Sequence, residues 1–116
     1  MIRRATVLLT ALFGLCCGAA WAATGTATYY ADRFEGRATA NSETFDQDLL
    51  TAAHNSLPFG TKVKVTNLEN GRSVIVRVND RMRRHNKTLI DVSKRAAREL
   101  GFVRDGRSKV HLEVIR

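Results

Sequence analysis

Two runs of alternating side chains, separated by an Asn-Gly pair, constrain the fold of this chain more than any other feature. Val recurs at every second position within residues 61–67 and again within residues 73–79. A period of two is typical of a strand with one buried and one exposed face. Asn70–Gly71 lies between the runs, and Asn-Gly favours a tight turn between paired strands. The sequence therefore predicts an antiparallel hairpin.

The second run ends on three polar residues, Asn79, Asp80 and Arg81. A carboxylate at the end of a strand is held on a rigid element, and a positioned carboxyl is the minimum requirement for cleaving a glycosidic bond. Asp80 is therefore a candidate acid. The alternative is a turn residue paired with Arg77 or Arg81, which would keep the carboxyl ionised.

The first 22 residues have the features of a signal peptide. Arg3 and Arg4 precede an apolar run at residues 7–17, and Ala20–Trp21–Ala22 follows as a small-x-small cleavage motif. The apolar run is shorter than the roughly 20 residues that a membrane span needs. We expect the mature domain to comprise residues 23–116. A buried N-terminal helix is the alternative.

Export would leave a basic domain without cysteine. Cys16 and Cys17 both lie in the apolar run, and Leu15 does not fit the small residue that normally precedes a lipid-modified Cys. We therefore expect a periplasmic or secreted protein with neither disulfides nor a lipid anchor. The formal net charge of +8 falls to +6 when Arg3 and Arg4 are removed. A basic surface outside the cytoplasm suits an anionic polymer, although charge also serves solubility.

The rest of the chain predicts an all-β domain with one short helix. Further short strands are expected at residues 26–30, 49–54, 88–92 and 110–115. Ser93 and Gly101 are suited to begin and end a helix at residues 94–100. Six short strands joined by turns indicate a small β-barrel.

Several segments, taken in order, resemble one known family. They are Thr28–Tyr29–Tyr30, Ser42–Glu43, Ala52–Ala53–His54, Leu57–Pro58–Phe59–Gly60, Asn79–Asp80–Arg81 and Ile90–Asp91–Val92–Ser93. The ordered set spans residues 25–115 and resembles the rare lipoprotein A (RlpA) family. The resemblance implies a six-stranded double-psi β-barrel. It also implies an endolytic lytic transglycosylase, which cleaves peptidoglycan strands lacking stem peptides and leaves 1,6-anhydro-muramic ends.

The resemblance also implies roles for individual residues. Asp80 becomes the catalytic acid and base, with Glu43 and His54 as catalytic residues of the same cleft. Asp91 corresponds to the acidic residue of expansins and related endoglucanases. From the residues alone, Glu43 could equally be an exposed loop acid, His54 a core histidine and Asp91 a helix-capping acid.

We assign substrate contacts to four residues, namely Tyr30, Asn79, Arg81 and Asp91. The basic loop at residues 81–87 could bind stem-peptide or phosphate anions, or be a solvated turn. Nucleic acid is disfavoured, because no aromatic residues lie among its charges. Family members usually continue with Gly-Pro after Asn-Asp-Arg, whereas this chain has Met82 and Arg83.

His54, His85 and His111 do not have the spacing of a zinc site, and we expect neither a metal nor a cofactor. We expect a monomer that binds peptidoglycan strands and has no membrane segment once the signal peptide is removed. The alternative function is a non-catalytic, expansin-like module that binds cell-wall glycan.

Overall fold

Six strands close into a barrel in the computed structural model, which describes residues 21–84 and 86–115. The strands are β1 (Ala22–Tyr29), β2 (Thr51–His54), β3 (Lys62–Asn67), β4 (Ser73–Arg81), β5 (Ile90–Val92) and β6 (Arg107–Val114). A 3-10 turn at Asp32–Phe34 and one helix, α1 (Lys94–Leu100), complete the fold. The order around the barrel is β1-β5-β2-β4-β3-β6. The predicted all-β, six-stranded barrel with one helix is confirmed.

Two of the six strand pairings are parallel, β1 with β5 and β2 with β4, and the others are antiparallel. The interior is filled by inward-facing aliphatic side chains such as Val63, Val76, Ile90 and Leu112. Burying these side chains is the main source of stability for a domain of this size. Almost all of the predicted signal peptide lies outside the described residues. Its last residue, Ala22, begins β1.

The predicted hairpin and helix are both present. β3 and β4 pair antiparallel from Lys62 opposite Arg77 to Thr66 opposite Ser73. Gly71 has a φ of 80°, a left-handed conformation that glycine adopts without a steric penalty. In α1 the Ser93 side chain accepts a hydrogen bond from the backbone N–H of Ala96. Local turn and capping chemistry therefore predicted these elements correctly.

A β-bulge in β4 determines where the candidate acid points. Val74, Val76 and Val78 face the barrel interior, and strict alternation would direct Asp80 inward as well. Ala52 pairs with Val78 but Ala53 pairs with Asp80, so Asn79 is the extra residue of the bulge. A bulge of this kind reverses the facing of the residues that follow it. Asp80 consequently lies on the outer face of the barrel.

A second, smaller apolar cluster lies outside the barrel. Tyr30, Phe45 and Ala53 are buried in it, and Phe34 and Met82 pack against it. The ring of Tyr30 stacks on that of Phe45 with 4.2 Å between centroids. This cluster fixes the long connection between β1 and β2 against the barrel wall. It thereby forms one side of a surface cleft.

Candidate active site

Four neighbouring strands contribute one row of residues to the floor of this cleft. Thr28 pairs with Asp91, Asp91 with Ala53, and Ala53 with Asp80. Because neighbouring strands lie about 4.8 Å apart, the Cα atoms of the two acids are roughly 10 Å apart. The small side chain of Ala53 leaves the space between the acids open. The cleft has a volume of about 300 Å³ and is lined by Thr28, Tyr30, Phe34, Ala38, Ala53, Asp80, Arg81, Met82, Asn86 and Asp91.

Three hydrogen bonds hold the carboxylate of Asp80. The hydroxyl of Tyr30 donates to Oδ2 at 2.6 Å. The backbone N–H groups of Ala40 and Arg81 donate to Oδ1 at 2.8 and 2.9 Å. Burial, followed by the hydrogen bond to Asp80, raises the pKa of Tyr30, so the hydroxyl keeps its proton. Asp80 is therefore oriented by two loops and by the apolar cluster.

Asp91 faces Asp80 across Ala53 and has an unusual proton affinity. Burial is the main cause that raises the pKa of Asp91 from 3.8 to about 6, and the negative charge of Asp80 adds to it. A hydrogen bond donated by the Thr28 hydroxyl, at 3.1 Å, opposes the shift. Asp91 is thus partly protonated near neutral pH. It lines the cleft, as a substrate contact would.

Glu43 lies outside the lining of the cleft and is engaged elsewhere. Its carboxylate accepts two hydrogen bonds from the Arg77 guanidinium, at 2.9 and 3.0 Å, and one from the Asn79 amide at 3.0 Å. These bonds, that from Arg77 first, lower the pKa of Glu43 to about 2. The carboxylate is therefore ionised at neutral pH. Asn79 is itself buried and does not line the cleft.

His54 also lies outside the cleft lining. Its Nδ1 accepts hydrogen bonds from the backbone N–H groups of Ser56 and Leu57, both at 3.1 Å. Burial, and then the charge of Arg81, lowers the pKa of His54, so the ring is neutral with its proton on Nε2. Among the described residues that Nε2 has no hydrogen-bond partner. The edge of one ring meets the face of the other between His54 and Trp21, 5.3 Å between centroids.

Arg81 lines the cleft and is fixed in place by its own neighbours. Its guanidinium donates to the carbonyls of His54 and Leu57 at 3.1 and 2.7 Å and lies 4.5 Å above the ring of Phe59. Tyr30 lines the cleft too, but its ring is only 6% exposed. The structure thus brings Tyr30, Asp80, Arg81 and Asp91 together, and places Glu43, His54 and Asn79 behind them.

Sequence reasoning missed several contributors to the cleft. Thr28 and Ala53 belong to the motifs quoted above, yet nothing in their type marks them as floor residues. The backbone N–H of Ala40 carries no side-chain signal at all. Within residues 21–84 and 86–115, no group of three or more His, Cys, Asp or Glu side chains is placed to hold a metal ion. No helix in those ranges is long and apolar enough to cross a membrane.

A comparison with family models assigns the chain. A model described as lytic transglycolase matches residues 22–112. The chain belongs to this family. The match covers all four strands that build the cleft floor, and with it the RlpA-like double-psi barrel expected from the sequence is confirmed.

Curated relatives carry the name endolytic peptidoglycan transglycosylase RlpA. The chain is 52% identical over 92 residues to that of Neisseria meningitidis serogroup A, which covers 79% of this chain and 38% of the relative. It is 50% identical over 91 residues to that of Pseudomonas aeruginosa, covering 78% of this chain and 27% of the relative. The chain therefore spans about a third of the length of these relatives.

Two solved structures have a similar fold. The Streptomyces papain inhibitor superposes with a TM-score of 0.67 at 25% identity, covering 83% of this chain and 96% of that one. The apo expansin of Clavibacter michiganensis superposes with a TM-score of 0.66 at 25% identity, covering 83% of this chain and 51% of that one. The same barrel thus occurs in proteins with very different names.

Proposed function

We propose that this chain is an endolytic peptidoglycan lytic transglycosylase. It would cleave the bond between N-acetylmuramic acid and N-acetylglucosamine and leave a 1,6-anhydro end. The single observation that carries the proposal is the row on the cleft floor, in which Asp80 and Asp91 flank the small Ala53. The names of the relatives, which match over most of this chain, support the same reaction and substrate.

The reaction needs two proton transfers and no water. The bond from C1 of the muramic residue to the leaving oxygen breaks, and a proton moves onto that oxygen. The 6-hydroxyl oxygen of the same sugar bonds to C1 as its own proton departs. In our proposal Asp91, with a pKa of about 6, donates the first proton, and Asp80 accepts the second. Exchange with solvent then restores both carboxyls.

This division of labour differs from the prediction that Asp80 alone performs both transfers. Asp91 is the cleft acid whose proton affinity is raised by burial, so it can supply a proton near neutral pH. Asp80 accepts three hydrogen bonds, which hold its oxygens toward the cleft. The separation of the two acids leaves room for a sugar between them.

Glu43 and His54 act in this proposal as positioning residues. Glu43 joins β4, through Arg77, to the loop whose Ala40 N–H holds Asp80. That loop is tight, since the Thr39 N–H bonds the carbonyl of Glu43 at 2.8 Å. His54 holds the turn after β2, and carbonyls of this turn in turn fix Arg81. Loss of either side chain would displace cleft groups without removing a reacting one.

The test is digestion of purified sacculi followed by mass analysis of the soluble products. We expect 1,6-anhydro ends from the wild type, none from Asp80→Asn, and strongly reduced yield from Asp91→Asn. Asp105→Asn, which changes an exposed loop acid, serves as the matched control. Reducing ends without the anhydro ring would indicate hydrolysis and contradict the proposal.

The second candidate function is a non-catalytic, expansin-like module that binds cell-wall glycan. The superposition of the expansin barrel on 83% of this chain favours it, because an expansin shares the fold that forms this cleft. Binding of sacculi by the wild type without release of any product would support this candidate over the enzyme.

We also propose that the domain works as a monomer outside the cytoplasm, after removal of residues 1–22, because peptidoglycan lies there. Cleavage at that point would remove Trp21, whose ring packs against His54. N-terminal sequencing of the protein recovered from cells would test the boundary. Light scattering of the purified protein would test the monomer.

A further inference from the structure

We propose that a cationic rim around the cleft binds the carboxylates of stem peptides, so that the domain acts on glycan strands that still carry their peptides. The cationic rim consists of Arg33 on one wall and of Arg83 and Arg84 on the other. This inference rests on the proposed function, because it presupposes peptidoglycan as the substrate. It departs from the peptide-free strands that the family resemblance implies.

The first wall carries two arginines at its lip. Met82 and Asn86 both line the cleft, so the chain between them leaves the cleft and returns to it. A hydrogen bond from the N–H of Asn86 to the carbonyl of Arg83, at 3.1 Å, closes this turn. Arg83 and Arg84 are exposed. Their charges therefore lie above the cleft floor and face solvent.

The second wall carries an arginine in a fixed position. The guanidinium of Arg33 lies 4.7 Å from the centroid of the Phe34 ring, and Phe34 lines the cleft. Stacking on an aromatic face restricts the guanidinium but leaves its N–H groups free to bind a carboxylate with two hydrogen bonds. Arg33 is thus preorganised to bind an anion beside the cleft.

The acids near the rim are already engaged by other groups. Asp32 pairs with Lys94 at 3.2 Å, and Glu35 accepts the backbone N–H of Gln47 at 2.8 Å. Over residues 21–84 and 86–115, no carboxylate oxygen lies within 4.0 Å of a side-chain nitrogen of Arg33, Arg83 or Arg84. The rim therefore has positive charge that the described part of the domain does not neutralise.

The floor and the rim have opposite charge, and this determines how a ligand would lie. Asp80 and Asp91 repel anions from the floor, which suits uncharged sugar rings. Carboxylates attached to those sugars would be attracted to the rim instead. A strand without peptides has only the lactyl carboxylate, which is attached directly to the ring and so lies close to the two acids. A stem peptide extends its carboxylates several bonds farther, toward the rim.

The test compares binding to two forms of the same polymer. Intact sacculi, and sacculi stripped of stem peptides by an amidase, are mixed with the protein and sedimented at low and at moderate salt. The rim variant is R33Q/R83Q/R84Q. The control, K62Q/K64Q/K109Q, removes the same number of charges from exposed positions of β3 and β6, the two strands that do not form the cleft floor.

We expect the wild type to bind intact sacculi roughly three- to tenfold more tightly than stripped ones, the range for a few exposed ion pairs. The preference should weaken as salt increases. The rim variant should lose the preference, and the control should keep it. Equal wild-type affinity for both forms, or an equal loss by the rim variant on both, would overturn the proposal. Anhydro products are assayed in the same samples, so failure of the enzymatic proposal is seen separately from failure of the rim.

Discussion

Replacing Asp91 by Asn is expected to stabilise the folded barrel at neutral pH. Burial raises the pKa of Asp91 from 3.8 to about 6, which means that the folded protein disfavours the ionised carboxyl. A shift of about two pKa units, at 1.36 kcal/mol each, corresponds to roughly 3 kcal/mol. The neutral Asn side chain avoids this cost and can still accept the hydrogen bond that Thr28 donates at 3.1 Å.

The sign of the effect depends on pH. Above pH 7 Asp91 is ionised in both folded and unfolded protein, and the full cost applies. As the pH falls from 6 toward 4, the folded protein takes up a proton before the unfolded chain does, and the cost disappears. Below the unfolded pKa of 3.8 the carboxyl is neutral in both states. The advantage of Asp91→Asn should therefore be largest above pH 7 and vanish near pH 4.

The assay is urea unfolding followed by circular dichroism, for the wild type and Asp91→Asn at a series of pH values from 4 to 8. We expect a gain of about 2 to 3 kcal/mol in the free energy of unfolding at pH 7.5. Asp105→Asn, in an exposed loop, should change it little at any pH. A variant no more stable than the wild type at pH 7.5, or a gain that does not vary with pH, would refute the argument that burial sets the proton affinity of Asp91.

Three further substitutions test the groups around Asp80. Tyr30→Phe removes the 2.6 Å hydrogen bond but keeps the stacked ring, so kcat should fall about tenfold with an unchanged melting curve; a lower Tm would instead indicate a packing role. Glu43→Gln removes a pair that is 35–41% exposed, so we expect a loss of at most about 1 kcal/mol above pH 4.5, which vanishes toward pH 2, but a ten- to hundredfold lower kcat. Unchanged kcat would exclude positioning by this pair. His54→Asn keeps an acceptor for two N–H groups and should fold normally, whereas His54→Leu should lose about 1–3 kcal/mol in urea unfolding. An inactive but stable His54→Asn would show that the ring itself takes part.

Elements with local signals were predictable because their causes lie within a few residues. Asn70–Gly71 specifies the turn between β3 and β4, and Ser93 and Gly101 specify the ends of α1. The roles of Glu43 and His54 had no such signal. The partner of Glu43 is Arg77, 34 positions away, and the N–H groups that occupy His54 depend on how the chain turns after β2. Both residues were expected to line the cleft, and packing places them behind it.

The strand that ends in Asp80 shows where prediction from sequence stops. Its alternating valines and its terminal carboxylate are properties of the sequence alone, because side-chain facing follows from the period of a strand. By that period Asp80 would have pointed into the core. Only the tertiary structure decided otherwise, since pairing with β2 introduces the bulge at Asn79 and turns Asp80 outward. Closure of the barrel then sets Asp91 across Ala53, because strand order depends on long-range pairing that no local pattern specifies.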